Sequence, residues 1–489
     1  DYIVIIALPN LEFKFVTANT LIGLEEKDMS VMDFGQTDKL QDELKTIRNN
    51  YLQAYGEEKN QLKKDFDKIQ TQILQQELKG GGQNKRAMQL ASWKPFSNDS
   101  NEWFDPYWMY GVEKFDVVIG NPPYGFRTVL NKNEKQFFRK EKSIVFSSGD
   151  SAELFSKICF DKFVKQNAVL SFIIPKKSLY GDAWEDMRTS YWYNNQLCFI
   201  MDTGKSFANV LLEASVFGLQ KTNSDKNFKL SFYDKEREIT DLGYFKKHEI
   251  YTKANTVQIY KTQFPQILLD KIESQSFNKP VLKGDLGLAI GTNFFSDDKE
   301  EYKLLKGIDI QRYQVRNHRY LKNKEKLNWE KAKRFLKPKV LSQVIVSHVE
   351  NPYPHLKITA CYDDEGILIT NTLMSFKIYD DSISEYFLLG FLNSKINSWY
   401  AFNFIYSRAI RTMHFYNFYI QQVPLPNLID RYTNKIEDLV ELQLKQNQDF
   451  ENEIDIVFSK AYDLTYQEVK IIDPEFPLTQ EEYNNYQIN

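Results

Sequence analysis

The chain has little cysteine. Cys159, Cys198 and Cys361 are scattered along 489 residues without a CxxC pair. That argues against a disulfide framework and against a zinc site; no metal is expected, and a reducing cytoplasm is the expected compartment. It has no apolar run approaching the roughly 20 residues that cross a bilayer, so no membrane association is expected. The opening Asp1-Tyr2-Ile3-Val4-Ile5-Ile6 lacks the basic region and cleavage site of a signal peptide, and it lacks an initiator Met. It reads as the middle of a fold, so the chain is expected to be a fragment of a longer protein. Positive charge is not in excess either: 63 Lys and Arg against 66 Asp and Glu leave a net charge of -3. Any nucleic acid must then be held by a local basic patch, with affinity that falls as salt rises.

What is present is apolar and aromatic: 42% hydrophobic residues, with 36 Phe and 29 Tyr, enough for two or three packed domains. Residues 1–24 read as a loop with a short strand from Phe13 to Val16. From Asp38 to Lys79 there is no Pro, and Leu44, Ile47, Tyr51, Tyr55, Leu62, Phe66, Ile69 and Ile73 recur mostly at three- and four-residue steps. That stripe predicts an amphipathic helix or helical hairpin, ended by Gly80-Gly81-Gly82. Residues 25–100 are thus a helical insertion packing on its host, with a partner-binding coiled coil as the alternative. Residues 101–278 alternate strands and helices. Phe115–Gly120, Ala168–Pro175, Cys198–Asp202 and Ala214–Leu219 are near-continuous apolar runs, separated by helical spacing at Ala152–Lys165 and around Ala183–Trp192. This predicts an α/β fold with a buried parallel sheet covered on both faces. A helix at about 255–275 leads into residues 279–430, which have mixed short strands, many aromatics and clustered Lys and Arg. A polar helical tail, 431–489, follows, and its acidic end from Glu475 is expected to be weakly ordered.

Asn121-Pro122-Pro123-Tyr124 stands directly after the run Phe115–Gly120. Ligand sites of open α/β sheets lie beyond the carboxyl ends of strands. Two prolines fix the backbone and remove two amide donors, so the Asn121 amide oxygen and the Pro122 carbonyl can converge on one amino group. An adenine N6 amine has two hydrogens and a delocalised lone pair. Two acceptors on those hydrogens localise the lone pair and aim it at a sulfonium methyl, without a strong base. The Tyr124 ring can stack on the base, which must be flipped out of the duplex to arrive there. A rigid turn closing a strand is the plainer alternative for these four residues.

Phe115-Asp116-Val117-Val118-Ile119-Gly120-Asn121-Pro122-Pro123-Tyr124 resembles the catalytic motif of amino-methyltransferases. More narrowly, the chain resembles the Eco57I-like adenine methylases of type IIG restriction–modification enzymes, which carry a TaqI-like target recognition domain. Leu8–Lys14, Ala18–Gly23, Trp103–Met109 and Ala168–Pro175 resemble further segments of that family. The resemblance implies a Rossmann-like methyltransferase sheet, its first strands missing, formed by 1–24 and 101–278, and a mixed α/β recognition domain at 279–430. It implies S-adenosylmethionine as methyl donor and double-stranded DNA as partner. Asn121 and Pro122 would take the N6 amine, with Pro123 stiffening the turn. Tyr124 and Phe207 would hold the base, although Phe207 also reads as a core residue before a strand. Asn19 and Asp116 would face the cofactor, although Asn19 also reads as a loop turn. The family's Phe-x-Gly-x-Gly turn and the acidic ribose partner are not found. Gly287-Leu288-Ala289-Ile290-Gly291 is the nearest glycine cluster, in the wrong domain, so the fragment is expected to be inactive alone. The resemblance also implies an upstream nuclease. Glu12-Phe13-Lys14 has an ExK spacing but no acidic partner.

Between Arg316 and Lys339 stand ten Lys or Arg against Glu325 and Glu330, interleaved with Tyr320, Trp329 and Phe335. A solvated charged face is one reading. Phosphate contact by Lys331, Lys333, Arg334, Lys337 and Lys339 is the other, with Arg408 and Arg411 as a second basic site. The alternatives to an adenine methyltransferase are a non-catalytic DNA-specificity fragment and a protein glutamine-N5 methyltransferase. The latter is compact and needs no basic second domain. A cytosine-N4 enzyme would carry Ser at position 121.

Overall fold

A computed structural model describes residues 15–26, 36–79, 84–97, 99–125, 132–140, 144–207, 212–234, 236–411, 413–446 and 448–488. The chain divides into two compact units: Asp1–Ile173 with Asn194–Leu197 and Phe217–Ser224, and Ile174–Tyr193 with Cys198–Val216 and Asp225–Asn489.

In the first unit the amphipathic stripe folds as a hairpin of α1 (Gln36–Tyr51) and α2 (Gly56–Lys79). Leu44, Ile47 and Tyr51 are buried from one arm, and Phe66, Ile69 and Ile73 from the other, while Tyr55 at the turn is 57% exposed. A third helix, α3 (Lys85–Ser92), packs on α2, and the Gln70 side chain donates to the Leu90 carbonyl at 2.9 Å. Buried Arg48 donates to the carbonyl of Trp108 at 2.8 Å, anchoring the hairpin to α4 (Pro106–Tyr110). Of the expected strand at residues 13–16, the first two lie outside the described residues. The rest is irregular, and pairing begins at an isolated bridge between Ala18 and Asn101. Gly80–Gly82 also lie outside the described residues.

β1 (Phe115–Gly120) pairs in parallel with β2 (Val164–Pro175), Gly120 standing opposite Phe172. The six-stranded sheet runs β1-β2-β4-β3-β5-β6, with β3 at Gln196–Gly204, β4 at Ala214–Gln220, β5 at Phe228–Tyr233 and β6 at Ile239–Phe245. β3 and β5 are parallel; β5 and β6 are antiparallel. One expectation needs correction. β1 is an edge strand among the described residues, and Val117 and Ile119 are 63% and 79% exposed. Its apolar run fits burial on both faces, but only β2 lies beside it. α5 (Ser151–Ile158) also stops earlier than its spacing predicts. A π-helical turn at Cys159–Phe163 follows, because residues from Val164 onward hydrogen-bond to β1 instead. The helix expected around Ala183–Trp192 is a 3-10 turn at Asp182–Trp184 and a π-helical turn at Met187–Tyr193.

In the second unit, Pro265 divides the helix expected at 255–275 into a 3-10 turn, Ile259–Gln263, and α6 (Gln266–Ser274). Strand Lys339–Gln343 pairs antiparallel with Ala360–Asp363 and Leu373–Ile378, and Leu282–Leu286 completes that sheet. Leu288, Leu304, Leu321, Phe335, Leu341 and Ile369 form the neighbouring core. A Cβ on Gly287 would stand 2.2 Å from the Thr370 carbonyl oxygen, so this glycine serves a close backbone approach. The C-terminal end is not loose. Thr479 and Glu482 form a capping box, Phe476 and Tyr483 are 6% and 1% exposed, and the Tyr483 hydroxyl donates to the Leu464 carbonyl at 2.8 Å. Its acidic composition suggested disorder; local capping and three buried apolar side chains, Phe476, Tyr483 and Ile488, override it. No helix among the described residues is long and apolar enough to cross a membrane, and no metal-holding group of His, Cys, Asp and Glu is found among them.

Candidate functional site

β1 delivers Asn121-Pro122-Pro123-Tyr124 to the carboxyl end of the strand, and the residues after Pro122 are tied down one by one. Asp150 caps α5, accepting from Ala152 N at 2.9 Å, and also accepts from Gly125 N at 3.3 Å. Ser151, fully buried in the first turn of that helix, donates its hydroxyl to the Pro123 carbonyl at 2.6 Å. The Tyr124 hydroxyl donates to the Ile173 carbonyl of β2 at 2.9 Å. Half-burial, with Asp150 adding to it, pushes the Tyr124 phenol up to about 12, so it stays neutral and keeps this bond. Gly120 supports the turn: a Cβ there would meet the Phe172 ring at 3.3 Å.

Among the described residues nothing binds the Asn121 side chain or the Pro122 carbonyl, and Asn121 is exposed. The turn therefore spends Pro123 O and Tyr124 Oη on its own rigidity, while exposed Asn121 Oδ1 and the carbonyl of buried Pro122 accept no hydrogen bond among the described residues. Two neutral acceptors on a rigid turn can orient an amine; they cannot act as a strong base.

The expected cofactor residues are occupied differently. Asn19 accepts from Leu21 N at 3.1 Å through its side chain, a local turn contact. Asp116, five residues and about 16 Å of strand before Asn121, pairs with Lys165 at 2.8 Å. Phe207 belongs to the second unit, 36% exposed, at the described end of the β3–β4 connection.

The basic stretch is largely paired. Arg319 binds Asp309 at 2.8 Å, Arg334 binds Asp285 at 2.9 Å, Lys333 binds Glu330 at 3.3 Å, and Lys324 meets Glu301. Lys331 donates to the Gly287 carbonyl at 2.9 Å. Lys339 leaves the expected surface set: it is 3% exposed, pairs with Asp363 and donates to the carbonyls of Phe335 and Ile367. Burial, only partly offset by Asp363, pulls its ammonium below the usual lysine range. Lys322, Lys326 and Lys337 are exposed and have no ion pair among the described residues. Arg411 is exposed as well. Arg408 lies 4.1 Å over the Tyr260 ring and binds Asn403 at 2.8 Å.

The sequence reading missed a buried charged cluster in the second unit, on a cavity of about 1440 Å³ lined by Thr203, Lys205, Trp399, Phe402 and Arg408. Lys176 stands 2.7 Å from Asp202 and 3.2 Å from Glu213, all three at most 9% exposed. Burial opposes its charge, but the two carboxylates more than offset that and hold the ammonium above the usual lysine range. The Tyr260 hydroxyl donates to Asp202 at 2.6 Å, and the Ile410 amide donates to Glu213 at 2.8 Å. Charges at the ends of apolar strand runs, as at Lys176 and Asp202, are the signal that could have pointed here.

Residues 16–208 match the Eco57I restriction-modification methylase family, and residues 302–425 match the TaqI-like C-terminal specificity domain. A Methanocaldococcus jannaschii protein whose assigned name is that of a type II restriction enzyme and methyltransferase, RM.MjaORFECS2P, is 24% identical over 406 residues. The match covers 72% of this chain and 33% of that protein, so the chain spans about a third of the relative's length. Among solved structures, the DNA-bound type IIL restriction-modification enzyme MmeI has a TM-score of 0.47 at 12% identity, covering 78% of this chain and 57% of that one. The type IIG restriction endonuclease BpuSI has a TM-score of 0.29 at 12% identity, covering 75% and 54%. In chain order, the sequence is thus similar first to an Eco57I restriction-modification methylase and then to a TaqI-like C-terminal specificity domain.

Proposed function

We propose that the chain is the base-capturing and DNA-reading part of a site-specific adenine-N6 methyltransferase of a restriction–modification system. Residues 1–24 and 101–278 serve the methyltransferase and 279–430 the recognition of double-stranded DNA. One observation carries the reading: among the described residues Asn121 Oδ1 and Pro122 O accept no hydrogen bond, while their neighbours Pro123 and Tyr124 are fixed. A flipped-out adenine would give its two N6 hydrogens to these acceptors and lay its ring on Tyr124; Phe207, in the second unit, is proposed as a further base-stacking aromatic. Lys322, Lys326, Lys337 and Arg411 fit phosphate contacts. Lys331, Lys333 and Arg334 would first exchange their present partners, which is cheap for the exposed Lys333–Glu330 pair.

The implied methyl donor is S-adenosylmethionine. Asn19 and Asp116, the residues expected to face it, make local contacts here: a turn with Leu21 and an exposed pair with Lys165. That observation favours a second reading, a DNA-specificity fragment without catalysis of its own. Methyl transfer to unmethylated genomic DNA, followed as N6-methyladenine by mass spectrometry, decides between them. It is run with this chain and with the full-length product of its gene. Activity in the full-length product that Asn121→Ala abolishes, with DNA affinity kept, is expected; inactivity of the full-length product would overturn the methyltransferase reading.

A further inference from the structure

The charged cluster around Lys176 closes a ring. Lys176 binds Asp202, Asp202 accepts from Tyr260, Arg408 covers Tyr260, the chain leads from Arg408 to Ile410, and Ile410 N donates to Glu213, which returns to Lys176. Two segments hang from this ring. Asp202 and Glu213 stand at the two ends of the β3–β4 connection, which carries Phe207, and the Thr203 hydroxyl zips those ends by donating to the Ala214 carbonyl at 2.9 Å. The other segment is Tyr406–Arg411. There Ser407 and Arg408 hold φ of 49° and 55°, a left-handed backbone that non-glycine residues keep only where the surroundings impose it.

A buried triad of one ammonium and two carboxylates is a poor source of stability, because desolvation consumes the Coulombic gain. Such groups are better suited to fixing one arrangement of the segments they join. We propose that Lys176 is a positioning residue that locks the Phe207 segment and the Tyr406–Arg411 loop together, so that the aromatic offered to the base and Arg411, offered to DNA, adopt one common placement. The role in base capture rests on the proposed function; the mechanical lock does not.

Hydrogen exchange of the full chain, read on peptides covering residues 203–207 and 406–411, tests the lock directly. Lys176→Met should raise exchange in both segments together, by roughly tenfold or more, and Lys176→Arg should restore both. Tyr260→Phe, which removes one hydroxyl from the ring, should raise both less, and it keeps the question decidable if Lys176→Met does not fold. A rise in one segment alone, or in neither, would overturn the proposal. In methyl transfer by the full-length product, Lys176→Met should lower kcat by about 100-fold, the scale on which a 1 Å misplacement acts, with KM for DNA unchanged and recovery in Lys176→Arg. An equal loss carried by KM overturns the positioning role. No transfer by the unmodified protein overturns the proposed function instead, and hydrogen exchange still decides the lock.

Discussion

Ser151 donates its hydroxyl to the carbonyl oxygen of Pro123 at 2.6 Å, although 28 residues separate them. In the proposed function Pro123 lies in the turn but is not an acceptor for the amine, so this bond spends a spare carbonyl on rigidity. A neutral hydrogen bond of this kind contributes about 1 kcal/mol net. Ser151→Ala should therefore lower methyl transfer by the full-length product several-fold and leave DNA affinity unchanged. Turnover and DNA binding measured on one preparation check it; a loss confined to DNA binding would refute the assignment.

Tyr124 separates ring from hydroxyl. Its bond to the Ile173 carbonyl orients the ring, while stacking on a base is worth roughly 1–3 kcal/mol. Tyr124→Phe should cost less than tenfold in turnover, and Tyr124→Ala at least tenfold. Because burial holds the phenol near 12, the Tyr124–Ile173 bond should persist through neutral and mildly alkaline pH. An alkaline limb of the rate profile that disappears in Tyr124→Phe would show that the phenol titrates earlier.

How far the fold could be read from the chain depended on the range of the interaction. The strand before Asn121 and the stripe from Leu44 to Ile73 carry their signal locally, within one element. Asn19 read equally well as a turn residue, and its contact with Leu21 is that turn. The edge position of β1, the burial of Lys339 against Asp363 and the docking of Ile488 depend on partners distant in sequence: Nε of Arg431 reaches the Ile488 carbonyl at 3.1 Å across 57 residues. The ring around Lys176 joins residues from 176 to 410. Lys176 and Asp202 are marked only by their place at the ends of apolar strand runs, and Glu213, taken alone, looks like an ordinary surface charge.

Lys337 and Lys339 are two residues apart and should behave oppositely. Exposed Lys337 should act as a single phosphate contact, so Lys337→Gln weakens DNA binding and reduces the salt slope by about 0.9 without altering the sequence preferred. Lys339→Met leaves Asp363 buried without its partner. That should cost about 3–5 kcal/mol of stability with no change in salt slope. Salt titrations of DNA binding and thermal melts of both variants separate the two. A slope change in Lys339→Met, without loss of stability, would return that lysine to the surface set.

The C-terminal end offers the last test, because its composition and its packing point in opposite directions. The Phe476 and Tyr483 rings meet at 5.6 Å between centroids, both almost fully buried. Thr479 and Glu482 form both bonds of the capping box on the short helix Gln480–Asn485, which carries Tyr483, at 3.3 Å and 2.7 Å. If this end were a solvated acidic tail, replacing its aromatic residues would change stability by less than about 0.5 kcal/mol. Packed as described, Phe476→Ala should cost about 3–5 kcal/mol, and Thr479→Ala about 1 kcal/mol through loss of the cap. Denaturant unfolding measures both. Glu481, on the same helix but outside the capping box, supplies the control: Glu481→Ala should fall within the small range expected of a solvated residue.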